Sequence, residues 1–237
     1  MNKDLDKSKD KIASMFDDIA PAYDKLNHLF TLNIDMIWRK DIIKNISNKN
    51  YKVDKILDLA SGTGDLTKEL LNLNPDKIIA ADISSKMLEI LNLKIQDDRL
   101  INIQAEAQSL PFENNYFDIV TIGFGVRNFD NLEKSLSEIK RVMQPDGKLI
   151  ILEMFKGDGL KTKLFNVYFG KLMPLIGNKI SKSKAYSYLY KSVDSFYSLE
   201  KFIEICNKCG FKVEMSVNNL LGIVNTCLLY TSPSPRD

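Results

Sequence analysis

Histidine is nearly missing from this chain of 237 residues, and His28 is the only one. That excludes a multi-histidine metal site and leaves a single imidazole for any Ser-His type of triad. Three cysteines cannot all pair with one another, which argues against a disulfide-stapled secreted scaffold. Cys206 and Cys209 form one Cys-x-x-Cys without a second pair to complete a zinc site. Cys206 falls at helical spacing with Leu199, Phe202 and Ile203, so the pair reads as part of an amphipathic helix over 199–209. No apolar run reaches the roughly 18 residues of a membrane-spanning helix. The start, Met-Asn-Lys-Asp-Leu-Asp-Lys, is charged and does not read as a signal peptide, so the cytoplasm is the expected compartment. A net charge of only +2 argues against a nucleic-acid partner.

What is present is ordinary for a soluble domain with a substantial core, at 44% hydrophobic and 27% charged residues. Apolar runs predict strands near 53–59, 77–83, 100–105, 117–123 and 147–153, with helices near 65–73, 84–94 and 130–142. This alternation predicts an α/β fold, a parallel sheet with helices on both faces and a ligand at the strand C-terminal ends. Ahead of it, Ile12 to Tyr23 reads as a helix ended by Pro21. A polar-aromatic connection follows over 23–28, then a helix from Asp35 to Ile46 carrying Trp38. The organisation expected is one domain in four parts. Residues 1–50 form a helical cap, 51–159 the core, 160–197 a helical insertion, and 198–237 a helix with the last two strands.

The chain is organised around Lys55 to Asp65, Lys-Ile-Leu-Asp-Leu-Ala-Ser-Gly-Thr-Gly-Asp. A short strand, a glycine turn and a helix make a nucleotide-type site, because backbone approaches a ligand closely where Cβ is absent. The next strand ends in Asp82, 20 residues after Gly62, the spacing at which a carboxylate meets ribose hydroxyls. The rival reading of Asp82 is a cap for the helix that starts at Ser84 or Ser85. A dinucleotide fingerprint would have a third glycine where this chain has Thr67, which counts against a nicotinamide oxidoreductase.

Asp58, Gly62, Gly64 and Asp82 together resemble the first motifs of the class I S-adenosylmethionine-dependent methyltransferases. The resemblance implies a Rossmann-like, mostly parallel seven-stranded sheet whose last strand is antiparallel. It also implies S-adenosylmethionine as cofactor, bound through Asp58, Gly62, Thr63, Gly64, Asp82, Ile83, Glu106, Ala107 and Gly123, with Glu106 and Ala107 facing the adenine.

A narrower resemblance follows from Phe124-Gly-Val-Arg127-Asn128, which looks like the Phe-Gly-x-Arg-Asn of the quinone-biosynthesis C-methyltransferases. Tyr23, Asp24, Asn27 and Trp38 match that family's N-terminal signature, whereas Leu26, Thr31 and Asp35 replace its Met, Ser and His. Arg141, Val142, Met143, Pro145, Gly147 and Glu153 match a second signature, from which Gln144, Asp146 and Phe155 depart. The likeness spans roughly residues 10 to 224 and implies methylation of a polyprenyl quinol ring without a metal, since a sulfonium is already an activated methyl donor. Arg127 would stabilise a phenolate, with Asp24 or Tyr23 as acid-base partners. The competing reading pairs Arg127 with a local acid such as Asp130. Asn128, Phe124 and Tyr186 would face substrate; Tyr186, Tyr188 and Leu189 match a family Tyr-x-Tyr-Leu run.

Residues 161–191 hold seven lysines and no acid among many apolar residues. Such a segment suits a lid over a greasy substrate or a contact with the inner face of an anionic membrane; the plainer reading is a helical insertion with a solvated lysine face. The last strands read as Phe211 to Val217 and Gly222 to Leu229. The turn-rich tail from Thr231 suggests a truncated or replaced C-terminus and a poorly specified last strand. A monomer or homodimer is expected. Three rival functions stay open: methylation of another small apolar acceptor, methylation of a benzoquinol ubiquinone precursor, and a non-catalytic scaffold of the same fold. The Asn/Lys/Ile-rich composition leans towards demethylmenaquinol.

Overall fold

The computed structural model describes residues 5–49, 51, 53–157, 170, 173–175, 179, 185–220 and 222–231. Its sheet has seven strands: β1 (Lys55–Leu59), β2 (Lys77–Asp82), β3 (Leu100–Gln104), β4 (Phe117–Gly123), β5 (Met143–Met154), β6 (Phe211–Leu220) and β7 (Val224–Thr231). Their order is β3-β2-β1-β4-β5-β7-β6. β1 to β5 pair in parallel, and β7 runs antiparallel to both neighbours. The near-continuous apolar runs of β1, β2 and β4 follow from this, because an inner parallel strand is covered on both faces.

Alternate residues divide the core. Leu57, Ile79, Val120 and Ile151 pack on one face with α5 (Leu132–Val142) and α7 (Leu199–Lys208), through Leu136, Ile139, Phe202 and Cys206. Ile56, Ile78, Ile119 and Ile150 pack on the other with α2 (Ile34–Asn48) and α3 (Asp65–Leu70), through Trp38, Ile42, Leu66 and Leu70. The expected helix over 199–209 is thus α7, whose buried Cys206 is a core side chain. α6 (Ala185–Asp194) lies outside the sheet, and its Tyr186 and Leu189 pack with Leu26 and Phe30.

Two expectations are corrected. α1 (Lys9–Thr31) does not end at Pro21 but runs through it and through the stretch read as a connection. A mid-helix proline forfeits one backbone hydrogen bond, yet Ile19, Ala20 and Leu26 are buried on both sides of it and packing outweighs the loss. Nor is β7 poorly specified: it is an inner strand, buried along most of its length. Gly222, at φ 82°, makes the turn that brings it back from β6, and its N–H donates to Asn218 Oδ1 at 2.9 Å. The insertion expected over 160–197 lies largely outside the described residues, as does the tail beyond Thr231.

Candidate active site

The two glycines after β1 serve different ends. Among the described residues Gly62, at φ 56°, has only the Tyr23 ring at 4.0 Å where a Cβ would point, so that side is open. A Cβ on Gly64, at φ 86°, would lie 2.6 Å from Leu91 Cγ of α4 (Ser85–Lys94), so this glycine exists for helix packing. Two larger residues at strand tips also hold the left-handed conformation, Ala60 at φ 56° and Phe124 at φ 60°. Such a conformation is uncommon without glycine and clusters at functional sites.

Asp82 closes β2 beside this turn. Its Oδ2 accepts the Gly62 N–H and its Oδ1 the Ser84 N–H, both at 2.8 Å. Each carboxylate oxygen has a further lone pair for a ligand hydroxyl. Burial raises the Asp82 pKa, and the backbone N–H groups of Ser84 and Gly62 work against that. The cap of α4 is Ser84, whose Oγ accepts from Met87 N–H at 3.1 Å.

A cavity of about 710 Å³ opens here, with Gly62, Asp82, Ile83, Glu106, Ala107 and Gly123 in its wall. Phe124, Asn128 and Tyr23 line it too, as do Ile12, Phe16 and Met87, to which the sequence analysis gives no site role. Three expected cofactor residues are not in that wall. Asp58 is fully buried, accepting hydroxyl hydrogen bonds from Thr67 at 2.6 Å and Thr121 at 2.8 Å, so it ties β1 to α3 and β4. Burial lifts its pKa to about 6. Thr63 is buried and donates to Asp24, and Gly64 faces Leu91.

A second cavity, of about 590 Å³, adjoins the first and shares Tyr23 and Phe124 with it. Phe30, Met154, Met173, Leu189 and Val193 make it apolar, and Arg39, Arg127, Asp35, Asn27 and Thr31 supply its polar groups. Arg127 pairs with Glu153 of β5 rather than with Asp130: Nη1 lies 2.5 Å from Glu153 Oε1, and the Arg127 N–H donates to Glu153 Oε2 at 3.1 Å. Nη1 also donates to the Phe124 carbonyl and Nε to Ser192 Oγ, while Nη2 makes no hydrogen bond with another described residue. Arg39 pairs with Asp35 at 2.5 Å, and its guanidinium sits 5.6 Å from the Phe124 ring centre. The Asp35–Arg39 spacing of i to i+4 on a helix was the legible signal for this missed residue.

Asp35 has several partners. Thr31 Oγ1 donates to it at 2.6 Å and His28 Nδ1 approaches it at 3.0 Å, while His28 Nε2 lies 3.3 Å from Asp65. Burial works to raise the Asp35 pKa, but Thr31 and Arg39 outweigh it and the net shift is downward. His28, Asp35 and Asp65 could together embrace a cation. Arg39 and Lys94, already paired with the two acids, make that a poor metal site.

Asp24 lines neither cavity. It takes hydrogen bonds from Thr63 and, at 2.9 Å, from Lys94, which fasten α1 to the glycine turn. Tyr23 does reach both cavities, and burial raises its pKa. Tyr186 is buried against Phe30, with ring centres 5.7 Å apart, and is not part of either wall.

The fold can be compared with solved structures. A methyltransferase dependent on S-adenosylmethionine from Aquifex aeolicus superposes with a TM-score of 0.63 at 16% identity, covering 88% of this chain and 98% of that one. At that identity the likeness concerns the fold alone. Sequence decides the family: the model of the ubiE/COQ5 methyltransferase family matches residues 4–229. The chain belongs to that family. A relative from Bacteroides fragilis, a demethylmenaquinone methyltransferase, is 36% identical over 95% of this chain and 93% of its own. A ubiquinone/menaquinone biosynthesis C-methyltransferase from Citrifermentans bemidjiense is 38% identical over 88% and 91%. The match to residue 229 corrects the expectation that the likeness stops near Val224 and takes in most of β7. Membership makes the chain an enzyme whose methyl donor is S-adenosylmethionine. Asp35 stands where the family signature has histidine, and the approach of His28 still brings an imidazole to that corner.

Proposed function

We propose that this enzyme methylates a ring carbon of a polyprenylated quinol, demethylmenaquinol above all, with S-adenosylmethionine in the first cavity and the quinol ring in the second. The observation that carries the reading is the shared wall. Tyr23 and Phe124 border both cavities, so ligands in the two would meet there.

The first cavity fits the methyl donor chemically. Asp82 has lone pairs left for ribose hydroxyls, Gly62 leaves room beside them, and Glu106 with Ala107 offers a wall for the adenine. When bound, S-adenosylmethionine supplies an electrophilic methyl group on a positive sulfonium.

The second cavity suits an acceptor that must become an anion. A quinol ring carbon gains nucleophilicity when a neighbouring hydroxyl loses its proton, and two guanidinium groups, Arg39 and Arg127, border the space where that oxygen would sit. Each is held by its own buried acid, which keeps it oriented while its outer edge faces the ring. Burial keeps the Tyr23 phenol protonated, so Tyr23 acts as a hydrogen-bond donor to the acceptor oxygen rather than as a base. Asp24 holds the glycine turn in place. The methionines, Phe30 and Leu189 exclude water around the ring and the first isoprene unit. The reading includes peripheral association with the inner face of the cytoplasmic membrane, as a monomer or homodimer, since the substrate is dissolved in lipid.

The likeness to a ubiquinone/menaquinone relative keeps a methoxy-benzoquinol acceptor as the second reading. The deciding experiment offers labelled S-adenosylmethionine together with a short-chain demethylmenaquinol or its benzoquinol analogue. Labelled naphthoquinol product is expected, with the benzoquinol slower. Cofactor binding without product on either ring would overturn the quinol assignment.

A further inference from the structure

Seven large apolar side chains are exposed among the described residues, and four of them, Leu29, Leu32, Ile34 and Ile37, belong to the turn between α1 and α2. Leu32 is 75% exposed and sits at φ 53°, a conformation that suits glycine or asparagine far better than leucine. Among the described residues nothing accounts for a leucine held there in water. Leu175 is exposed as well, two residues from Met173, which packs with Leu26 and Phe30.

Lys25 and Lys40 are exposed on either side of the turn, and the only acid between them, Asp35, is buried; Asp24 and Asp41, next to the two lysines, are paired with Lys94 and Lys44. The inward residues of the same turn, Phe30, Thr31 and Asp35, line the second cavity. An apolar tip with a lysine rim is what an interfacial anchor needs: side chains for the hydrocarbon boundary and cations for anionic headgroups. Among the described residues no helix is long and apolar enough to cross a membrane, so the tip would enter one leaflet only.

We infer that the α1–α2 turn docks into the surface of an anionic phospholipid bilayer through Leu29, Leu32, Ile34 and Ile37. Docking there brings the Phe30–Thr31 wall of the second cavity to the hydrocarbon boundary, so that an apolar tail passes from lipid to cavity without crossing water. This rests on the reading that the acceptor carries a polyprenyl tail, and it places the contact on the α1–α2 turn rather than on the lysines of segment 160–191.

The test is flotation of the full chain with vesicles of equal parts phosphatidylglycerol and phosphatidylcholine, comparing wild type with Leu32→Asn/Ile37→Ser. Both positions are exposed and asparagine tolerates positive φ, so the variant keeps its fold. The expected result is a partition coefficient lowered about tenfold, with methylation of a water-soluble short-chain quinol within twofold of wild type. In a separate variant, Leu32→Trp, the new emission should shift to the blue and be quenched by brominated phospholipid. Equal vesicle binding by the double variant, or none by wild type, overturns the inference. So does a wild-type dimer in sedimentation that the double substitution dissociates, since the patch would then belong to a second copy. Vesicle binding lost only in the variant, with no quinol methylated by wild type, would leave the docking surface standing and remove the substrate reading.

Discussion

The two cavities share a wall but are built by opposite means. The polar edge of the first lies at the tips of parallel strands, where a glycine lacks a Cβ, a backbone N–H is aimed at Asp82 and that carboxylate closes β2, with apolar side chains such as Phe16 and Met87 completing the wall. The second is made by side chains from α1, α2, α6 and the loop after β4, held by the ion pairs Arg39–Asp35 and Arg127–Glu153. A backbone site follows once the sheet forms. A side-chain site needs every buried charge to be matched, and errors there cost stability as well as chemistry.

The sharpest break in that comparison is Arg127→Ala. It would strand Glu153, which has no solvent access, and should destabilise the fold by about 3–5 kcal/mol in urea titrations. The double change Arg127→Met/Glu153→Gln should recover most of that loss while turnover stays low. Full recovery of turnover would remove Arg127 from the chemistry and leave it only a structural role.

The two glycines divide the cofactor side itself. Gly64→Ala places a Cβ against Leu91 and should cost about 2–3 kcal/mol of stability. Gly62→Ala meets open space, so it should cost only about 1 kcal/mol in stability. Its main effect should be weaker S-adenosylmethionine binding, read by calorimetry. Equal stability losses at the two positions would erase the distinction.

The two carboxylates make a finer contrast. Burial lifts Asp58 to about 6, above its unfolded value. Between roughly pH 4 and 6 the native state therefore binds the extra proton, and stability falls as pH rises through that window. Asp58→Asn should flatten this slope, by on the order of 1–3 kcal/mol, with cofactor affinity preserved. Asp82→Asn should instead lower cofactor affinity about tenfold or more, the loss of one charge-assisted hydrogen bond or two. The smallest effect belongs to His28→Ala, about 1 kcal/mol or less, because the Arg39 and Lys94 pairs to Asp35 and Asp65 remain.

The same division explains what could be read in advance. The alternation of strands and helices, the glycine turn and the acid 20 residues on are local patterns, and a parallel sheet turns them into one place. The stretch from Tyr23 to His28 reads as a polar-aromatic connection after Pro21. In the folded chain Tyr23 borders the cavities, Asp24 meets Thr63, Leu26 enters a core and His28 meets two acids, so the helix is contacted all round. Asp58 shows a related limit: a carboxylate at the end of a strand can point at a ligand or into the fold, and its partners Thr67 and Thr121 lie 9 and 63 residues away in sequence. Glu153 was noted in a signature, yet its pairing with Arg127 spans 26 residues that no periodicity links.

The position of β7 has a consequence for how the chain is made. β6 leaves the ribosome before β7, but it has no neighbour in the sheet until β7 has paired with β5. For that interval β5 presents an open edge and β6 waits unpaired. Both are the kind of surface that recruits other chains and that chaperones shield. This chain is thus most vulnerable before β7 is in place, when β1 to β5 are already paired.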